Sequence, residues 1–229
     1  MSTLIIIPTL RERENLVKLI PAIFQHIPDA DILIADDHSE DGTKELAKEH
    51  VAVLDRVTDH GYGKAVLDGF RWAVQRGYDR IVTMDADFSH DPKEIPKLLE
   101  KLSTFDVAIG SRYVAGGGIQ NWSWHRRLLS RGANWYVRAV LCTGIRDNTT
   151  GFMAYRRHAM EKLLEIPPQS DGYAFLVEVK YMLSKQNFRI SEHPILYAER
   201  REGQSKMSMQ VIWESIWLPW KLKYGKMHK

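Results

Sequence analysis

Short β-branched runs alternate with helix-length amphipathic segments through the first half of the chain, and few folds accept that order. Leu4 to Ile7 is an apolar run closed by Pro8, and residues 14–25 carry Leu16, Leu19, Ile20 and Ile23 at helical spacing. Asp31 to Ala35 reads as a buried strand, followed by a helix over 40–49 that Ser39 is expected to cap. Val51 to Val57 gives a third strand, 64–76 a helix closed by Gly77, and Arg80 to Met84 a fourth strand. Pro92 opens a helix over 93–102, and Asp106 to Ile109 is a fifth strand. Strands separated by helices of this length build βαβ units. The expected fold class is therefore α/β, with a Rossmann-like, mostly parallel sheet flanked by helices.

An open parallel sheet binds ligands in the crevice beyond the carboxyl ends of its strands. Pro8-Thr9, Asp36-Asp37, Asp85-Ala86-Asp87 and Gly110-Ser111-Arg112 all fall at that edge. One topology thus gathers four polar clusters that lie far apart in sequence.

The second half is less regular. Gly116-Gly117-Gly118 starts a loop, expected to be mobile, that runs to Trp124. Helices are expected over 126–141 and 172–184, and strands over Gly151 to Tyr155 and 188–197. From Met209 the tail brings Trp213, Trp217 and Trp220 together with Lys221, Lys223 and Lys226, and Pro219 would kink a helix there. It reads either as a helix packed on the core or as an aromatic, basic surface suited to a membrane interface. The expected division is one α/β domain over 1–208 and an amphipathic tail over 209–229.

Composition narrows the function classes. A chain of 229 residues suits one α/β domain. A formal charge of +3 gives no general basic field, so nucleic acid is not an expected partner. Basic residues instead crowd into 126–138, 156–157, 200–206 and 221–229, opposite acidic clusters in the first half. Cys142 is the sole cysteine; it excludes an intrachain disulfide, fits a reducing compartment and reads as a small core residue. No leader with a basic and then apolar pattern opens the sequence, so no cleaved signal is expected, and no apolar run is long enough to span a bilayer.

Asp85 and Asp87 carry the sharpest chemical signal. Two carboxylates two residues apart at a strand end can share one hard divalent cation, which would bridge the phosphates of a nucleoside diphosphate. Such a cation neutralises charge that builds on the leaving group. The bland alternative, two solvated loop acids, is disfavoured by their place after a buried fourth strand. A carboxylate of Asp36-Asp37 could accept hydrogen bonds from a ribose or base. Gly61-Tyr62-Gly63-Lys64 is no phosphate loop: Thr58 and Ala65 stand where Walker spacing needs Gly and Ser or Thr. Its glycines would instead let the backbone come close to a nucleotide. Arg112 at the sheet edge, and Arg126, are placed to grip phosphate bidentately, while Arg127 and Arg131 read as surface charge. The histidines show no metal-ligand spacing.

Taken together, Ile6-Ile7-Pro8-Thr9, Glu12-Arg13-Glu14-Asn15, Asp36-Asp37-His38-Ser39, Gly61-Tyr62-Gly63-Lys64-Ala65, Met84-Asp85-Ala86-Asp87-Phe88-Ser89-His90 and Gly110-Ser111-Arg112-Tyr113 resemble family 2 glycosyltransferases of GT-A fold. Trp122 to Arg127, Ser130 to Asn134, Thr149 to Phe152, Glu199-Arg200 and Gly203 to Met207 narrow the resemblance to dolichyl-phosphate (polyprenyl-phosphate) mannose synthases. The resemblance implies transfer of mannose from GDP-mannose to a dolichyl or polyprenyl phosphate, with inversion to a β-mannosyl phospholipid. It implies that Pro8, Leu10, Glu12, Ala35 and Asp37 line the nucleotide. Asp85 and Asp87, with Ala86 and Ser89 alongside, would hold Mg²⁺ or Mn²⁺. Arg112, Arg126, Ser130, Arg200 and Lys206 would meet the diphosphate and the lipid phosphate, and Asp87, Arg112 and Lys206 would be catalytic. Ser89 stands where some members carry Gln, and Leu10 where an aromatic is frequent. The expected setting is cytoplasmic, peripheral on the cytosolic face of a membrane, and the resemblance leaves room for a small membrane-anchoring subunit.

The residues leave other readings open. A sister enzyme could use UDP-glucose or another nucleotide sugar with a polyprenyl phosphate. A nucleotidyltransferase shares the sheet and Mg²⁺ but usually has a glycine-rich loop after its first strand, where this chain has Pro8-Thr9-Leu10. A non-catalytic nucleotide-sugar sensor would keep its function without Asp87.

Overall fold

The computed structural model describes residues 1–198 and 209–225, the side chains of 209–215 excepted. Its elements run β1 (Thr3–Thr9), α1 (Arg13–His26), β2 (Asp31–Asp36), α2 (Thr43–Lys48), β3 (Ala52–Asp55), α3 (Tyr62–Gln75) and β4 (Arg80–Thr83). A short 3-10 turn, Pro92–Glu94, leads into α4 (Ile95–Lys101), then β5 (Val107–Ser111), β6 (Gly118–Ile119) and α5 (Trp124–Leu141). The chain continues with β7 (Met153–Arg156), α6 (Arg157–Glu165), α7 (Gly172–Lys185), β8 (Ile190–Pro194), β9 (Leu196–Tyr197) and α8 (Met209–Tyr224).

Seven strands form one sheet in the order β3-β2-β1-β4-β7-β5-β8. Neighbours pair in parallel except β7, which lies antiparallel between β4 and β5. β1 explains why its sequence is apolar throughout rather than alternating. Leu4 and Ile6 face α3 and the Phe70, Met160 and Phe175 side, while Ile5 and Ile7 face Leu16, Ile20 and Ile95 on the other. A strand covered on both faces has no solvent side to make polar. The α/β architecture expected from the alternation is the one observed.

Several local expectations change. Ser39 does not cap α2: its N–H and hydroxyl both bond the buried Asp36 carboxylate, at 2.7 and 2.8 Å. Gly42, at φ 86°, turns the chain instead, and Asp41 accepts from the Thr43 N–H at 3.1 Å. The glycine loop is partly ordered as a strand, because Gly118 and Ile119 pair with Leu196 and Tyr197 of β9. Cys142 is exposed rather than core, since it ends α5 in the left-handed region at φ 55° and turns outward. The last expected strand is broken at Ile195. The tail forms a helix that packs on the core along one side. Leu218 and Leu222 of α8 pack on Val137 and Leu141 of α5 and Ala174 and Val177 of α7, while Trp217 and Trp220 are exposed. Lys223 Nζ donates to the Val140 carbonyl near the end of α5 at 2.6 Å. The Trp213 side chain lies outside the described residues.

α3 crosses β1 at Gly69, where an added Cβ would come within 2.7 Å of Ile6 Cγ2. Gly69→Ala should therefore lower the unfolding free energy by about 1–3 kcal/mol through overpacking, despite alanine's better helix propensity. Urea unfolding of the two proteins would measure it; equal or greater stability of the variant would show that this crossing has slack.

Candidate active site

The carboxyl edge of the sheet is built by hydrogen bonds that tie successive strand ends together. Beyond β1, Thr9 Oγ1 donates to Asp36 Oδ2 at 2.7 Å, and the Arg11 N–H donates to Ser39 Oγ at 2.8 Å. Arg11, His38 and Phe88, each just past the end of β1, β2 or β4, have φ of 61°, 58° and 59°. Non-glycine residues in that region are held by their surroundings, and such positions gather at functional sites. Around this rim Pro8 and Glu12 are half-buried, Leu10 is exposed and Ala35 is buried. Asp37, the expected nucleotide contact, already has both oxygens occupied. One takes a short contact from the Arg56 guanidinium, and the other accepts from the Gly61 N–H at 2.8 Å.

Asp37 and Asp171 together fill the start of α3. The Gly63 N–H donates to Asp171 Oδ1 at 2.6 Å, and a Cβ on Gly61 would run into the same carboxylate. Gly61 serves this close approach of carboxylate to backbone, whereas a Cβ on Gly63 would meet the Phe175 ring. Asp171 was not visible as a site residue in the sequence.

β4 delivers the acidic pair. Asp85 is half-buried and Asp87 is 6% exposed, with Ala86 buried between them. The Ser89 N–H donates to Asp87 Oδ1 at 3.0 Å, and Ser89 itself is fully buried. The Asp85 N–H donates to His90 Nδ1 at 3.2 Å. Burial lowers the His90 pKa, so the ring is neutral at pH 7, accepts at Nδ1 and carries its proton on Nε2. The hydroxyl of half-buried Tyr62 lies beside the Asp85 carboxylate, both close to where a Cβ on Gly151 would stand.

These residues fit a divalent metal. The donors are hard carboxylate oxygens, and among the described residues no group of three His, Cys, Asp or Glu could form a closed protein cage. Mg²⁺ and its analogues are commonly held by one or two carboxylates with substrate phosphates completing the shell.

Across the cleft, Arg112 is committed to a partner. Its Nε and Nη2 meet Asp147 Oδ2 and Oδ1 at 2.8 and 2.7 Å, its N–H adds a third bond at 2.9 Å, and Nη2 reaches Thr149 Oγ1 at 2.7 Å. Burial alone would raise the Asp147 carboxyl, but the guanidinium charge and its hydrogen bonds hold it below the usual range. The same pairing raises Arg112 against the opposing effect of burial. Ser130 of α5 accepts from the Tyr113 hydroxyl at 2.6 Å. Arg126 stacks over the Trp122 ring at 3.9 Å. An aromatic column joins the two halves: Phe152 to His90 at 4.9 Å, His90 to Tyr197 at 5.8 Å and Tyr197 to Trp122 at 5.5 Å. Arg200 and Lys206, both expected at the acceptor phosphate, lie outside the described residues.

With this geometry in place, similarity to known proteins identifies the chain's family. Residues 4–164 match the model of glycosyl transferase family 2. The chain belongs to glycosyltransferase family 2. It is 43% identical over 222 residues to the polyprenol monophosphomannose synthase of Mycolicibacterium smegmatis, covering 93% of this chain and 84% of that protein. It is 39% identical to the undecaprenyl-phosphate mannosyltransferase of Micrococcus luteus, over 94% of this chain and 91% of that one. The dolichol-phosphate mannosyltransferase of Pyrococcus furiosus is 37% identical over 94% of this chain, which spans 62% of its length. Among solved structures, glucosyl-3-phosphoglycerate synthase from Mycobacterium tuberculosis, in complex with Mn²⁺, UDP and glucosyl-3-phosphoglycerate, superposes with a TM-score of 0.70. At 17% identity, over 98% of this chain and 80% of that one, the match speaks for the shared GT-A fold alone.

Beneath the family 2 site lies a fully buried lysine. Lys180 Nζ donates to the carbonyls of Thr150, Asn148 and Leu176 at 2.7, 3.3 and 3.3 Å, anchoring the 147–151 segment to α7. Burial lowers its pKa to about 7, the nearby Arg112 adding to the effect and Asp147 and Glu192 opposing it. The unfolded lysine titrates near ~10.4. Between those values the unfolded chain holds the extra proton, so this group makes stability rise with pH from about 7 upward and adds no slope below. The slope should approach about 1.4 kcal/mol per pH unit between pH 8 and 9 and vanish in Lys180→Met. Urea unfolding across pH 6–9 checks this; identical pH profiles would place the proton elsewhere.

Proposed function

We propose that this transferase moves mannose from GDP-mannose to a polyprenyl phosphate with inversion at the anomeric carbon. The observation that carries the reading is that three relatives, each matched over more than nine-tenths of this chain, are named for mannosyl transfer to polyprenyl phosphates or for the mannosylated product. The site's layout supports it, with an acidic pair at one strand end and basic and aromatic residues facing it.

A lipid-phosphate oxygen attacks C1 of the sugar while the bond from C1 to the β-phosphate oxygen breaks, and GDP departs with that electron pair. The nucleophile is already ionised at neutral pH, so no general base is required, only alignment and control of charge. Pro8, Leu10, Glu12, Ala35 and Asp37 line the nucleotide. Asp85 and Asp87, with Ala86 and Ser89 beside them, hold Mg²⁺ or Mn²⁺. That ion supplies charge neutralisation for the departing diphosphate. Arg126, Ser130, Arg200 and Lys206 receive the acceptor phosphate, and Arg112 acts from its pairing with Asp147 at the edge of that region.

Label from GDP-[¹⁴C]mannose should pass to undecaprenyl or dolichyl phosphate with Mg²⁺ or Mn²⁺ and not with chelator. Asp87→Asn should cut the rate by on the order of 100-fold or more. Transfer from UDP-glucose but not GDP-mannose would overturn the donor assignment, and full activity of Asp87→Asn would overturn the site.

The acceptor's lipid tail also gives the exposed apolar residues a role. Trp124, Leu128, Leu129 and Trp135 of α5 are each more than 60% exposed, as is Trp217 of α8. Among the described residues no helix is long and apolar enough to cross a membrane. The proposed setting is the surface of an anionic bilayer, where tryptophan and basic side chains are favoured. Wild-type protein should co-sediment with anionic liposomes and Trp217→Ser/Trp220→Ser should do so measurably less; equal binding would remove α8 from the contact.

A further inference from the structure

Tyr62 takes no part in the function as described, yet its hydroxyl reaches the acidic pair. Its ring packs edge-on against Phe175, with centroids 6.2 Å apart, which fixes the side chain from the side of α7. Its hydroxyl lies beside the Asp85 carboxylate, the two flanking Gly151. A Cβ on Gly151 would collide with that hydroxyl and lie 3.4 Å from Asp85 Oδ1. The glycine is held at this point: its carbonyl accepts from Thr83 Oγ1 at 2.7 Å, and Lys180 grips the carbonyl before it. Asp85 Oδ2 lies 3.9 Å from His90 Nδ1, beyond hydrogen-bond distance.

We infer that Tyr62 is a positioning residue for Asp85, its hydroxyl fixing one carboxylate oxygen through the gap left by Gly151 so that the carboxylate is preset to bind a divalent cation. The inference rests on Asp85 being a metal ligand, as the proposed function has it. The physical warrant is general: groups that hydrogen-bond a metal-binding carboxylate set its orientation, and their loss typically costs about 10–100-fold in metal affinity or activity.

The test is binding of Mn²⁺ in the presence of GDP, followed by calorimetry without any lipid acceptor, alongside thermal melting in chelator. Tyr62→Phe keeps the ring on Phe175 and removes only the hydroxyl. It should weaken Mn²⁺ binding by about tenfold or more and leave melting in chelator within a degree or two of wild type. Gly151→Ala, which blocks the gap, should weaken it in the same direction. In an Asp85→Asn background Tyr62→Phe should have no further effect, because the hydroxyl then has no carboxylate to orient. Unchanged Mn²⁺ affinity in Tyr62→Phe, with Asp85→Asn weakened, would overturn the role of Tyr62 alone. A lower melting temperature with unchanged affinity would make it a structural contact. Equal Mn²⁺ binding by wild type and Asp85→Asn would overturn the metal assignment itself, and this inference with it.

Discussion

The buried pair of Arg112 and Asp147 is the interaction on which the side of the cleft opposite the acidic pair depends. Taking two charges out of water costs several kcal/mol each, and attraction offsets it only when geometry and hydrogen bonds are nearly complete. Here they are: Asp147 accepts three bonds from Arg112 and its backbone, and its own N–H is taken by Glu192 at 3.0 Å. The pair fixes the 147–151 segment to the end of β5, and Lys180 fixes the same segment from below. Asn134 joins α5 to it, accepting from the Asn148 N–H at 2.7 Å. The Asp85 side and the Arg112 side of the cleft are therefore set by one short piece of chain, with Gly151 at one extremity and Asp147 at the other.

How much of this could be read from sequence follows from where the information lies. The strands of the first half were legible because a strand covered on both faces is apolar along its whole length, as in Leu4 to Ile7 and Ile32 to Ala35. Their order put Asp37, Asp85 and Arg112 at one edge without any knowledge of contacts. The orientation of β7 was not legible, since Met153 to Arg156 would look the same running either way and tertiary pairing alone decides. Ser39 misled because its local pattern is that of a cap, while the buried Asp36 competed for the same hydroxyl and won. Cys142 misled because small apolar residues are usually buried, and the left-handed end of α5 turned it outward.

The site's supporting residues were hidden for a different reason. Tyr62, Asp147, Asp171 and Lys180 act through partners 23 to 108 positions away, as in Tyr62 with Asp85 or Gly63 with Asp171, so no window of sequence contains the pair. A lysine in the middle of a largely apolar helix stretch, Leu176 to Leu183, was a local anomaly, as was Glu178 beside it, and a fully buried amine must find acceptors. Arg112 shows the converse. Its position was legible, but its principal partner is a carboxylate of this chain.

The placement of β7 also dictates the order in which the molecule can assemble. β1 to β4 pair among themselves within the first 83 residues, but β5 meets no sheet neighbour until residues 153–156 and 190–194 have been made. A nascent chain ending at Ser111 would therefore carry β4 as an open, apolar edge and β5 as a strand without a neighbour. Such edges recruit other chains, and pairings between strands so distant in sequence form slowly. Insertion of β7 closes both edges in one event, and the residues that lead into it are the same 147–151 segment. Insertion of β7 and placement of the 147–151 segment at the strand ends are thus one folding step, and β8 then completes the sheet beyond β5.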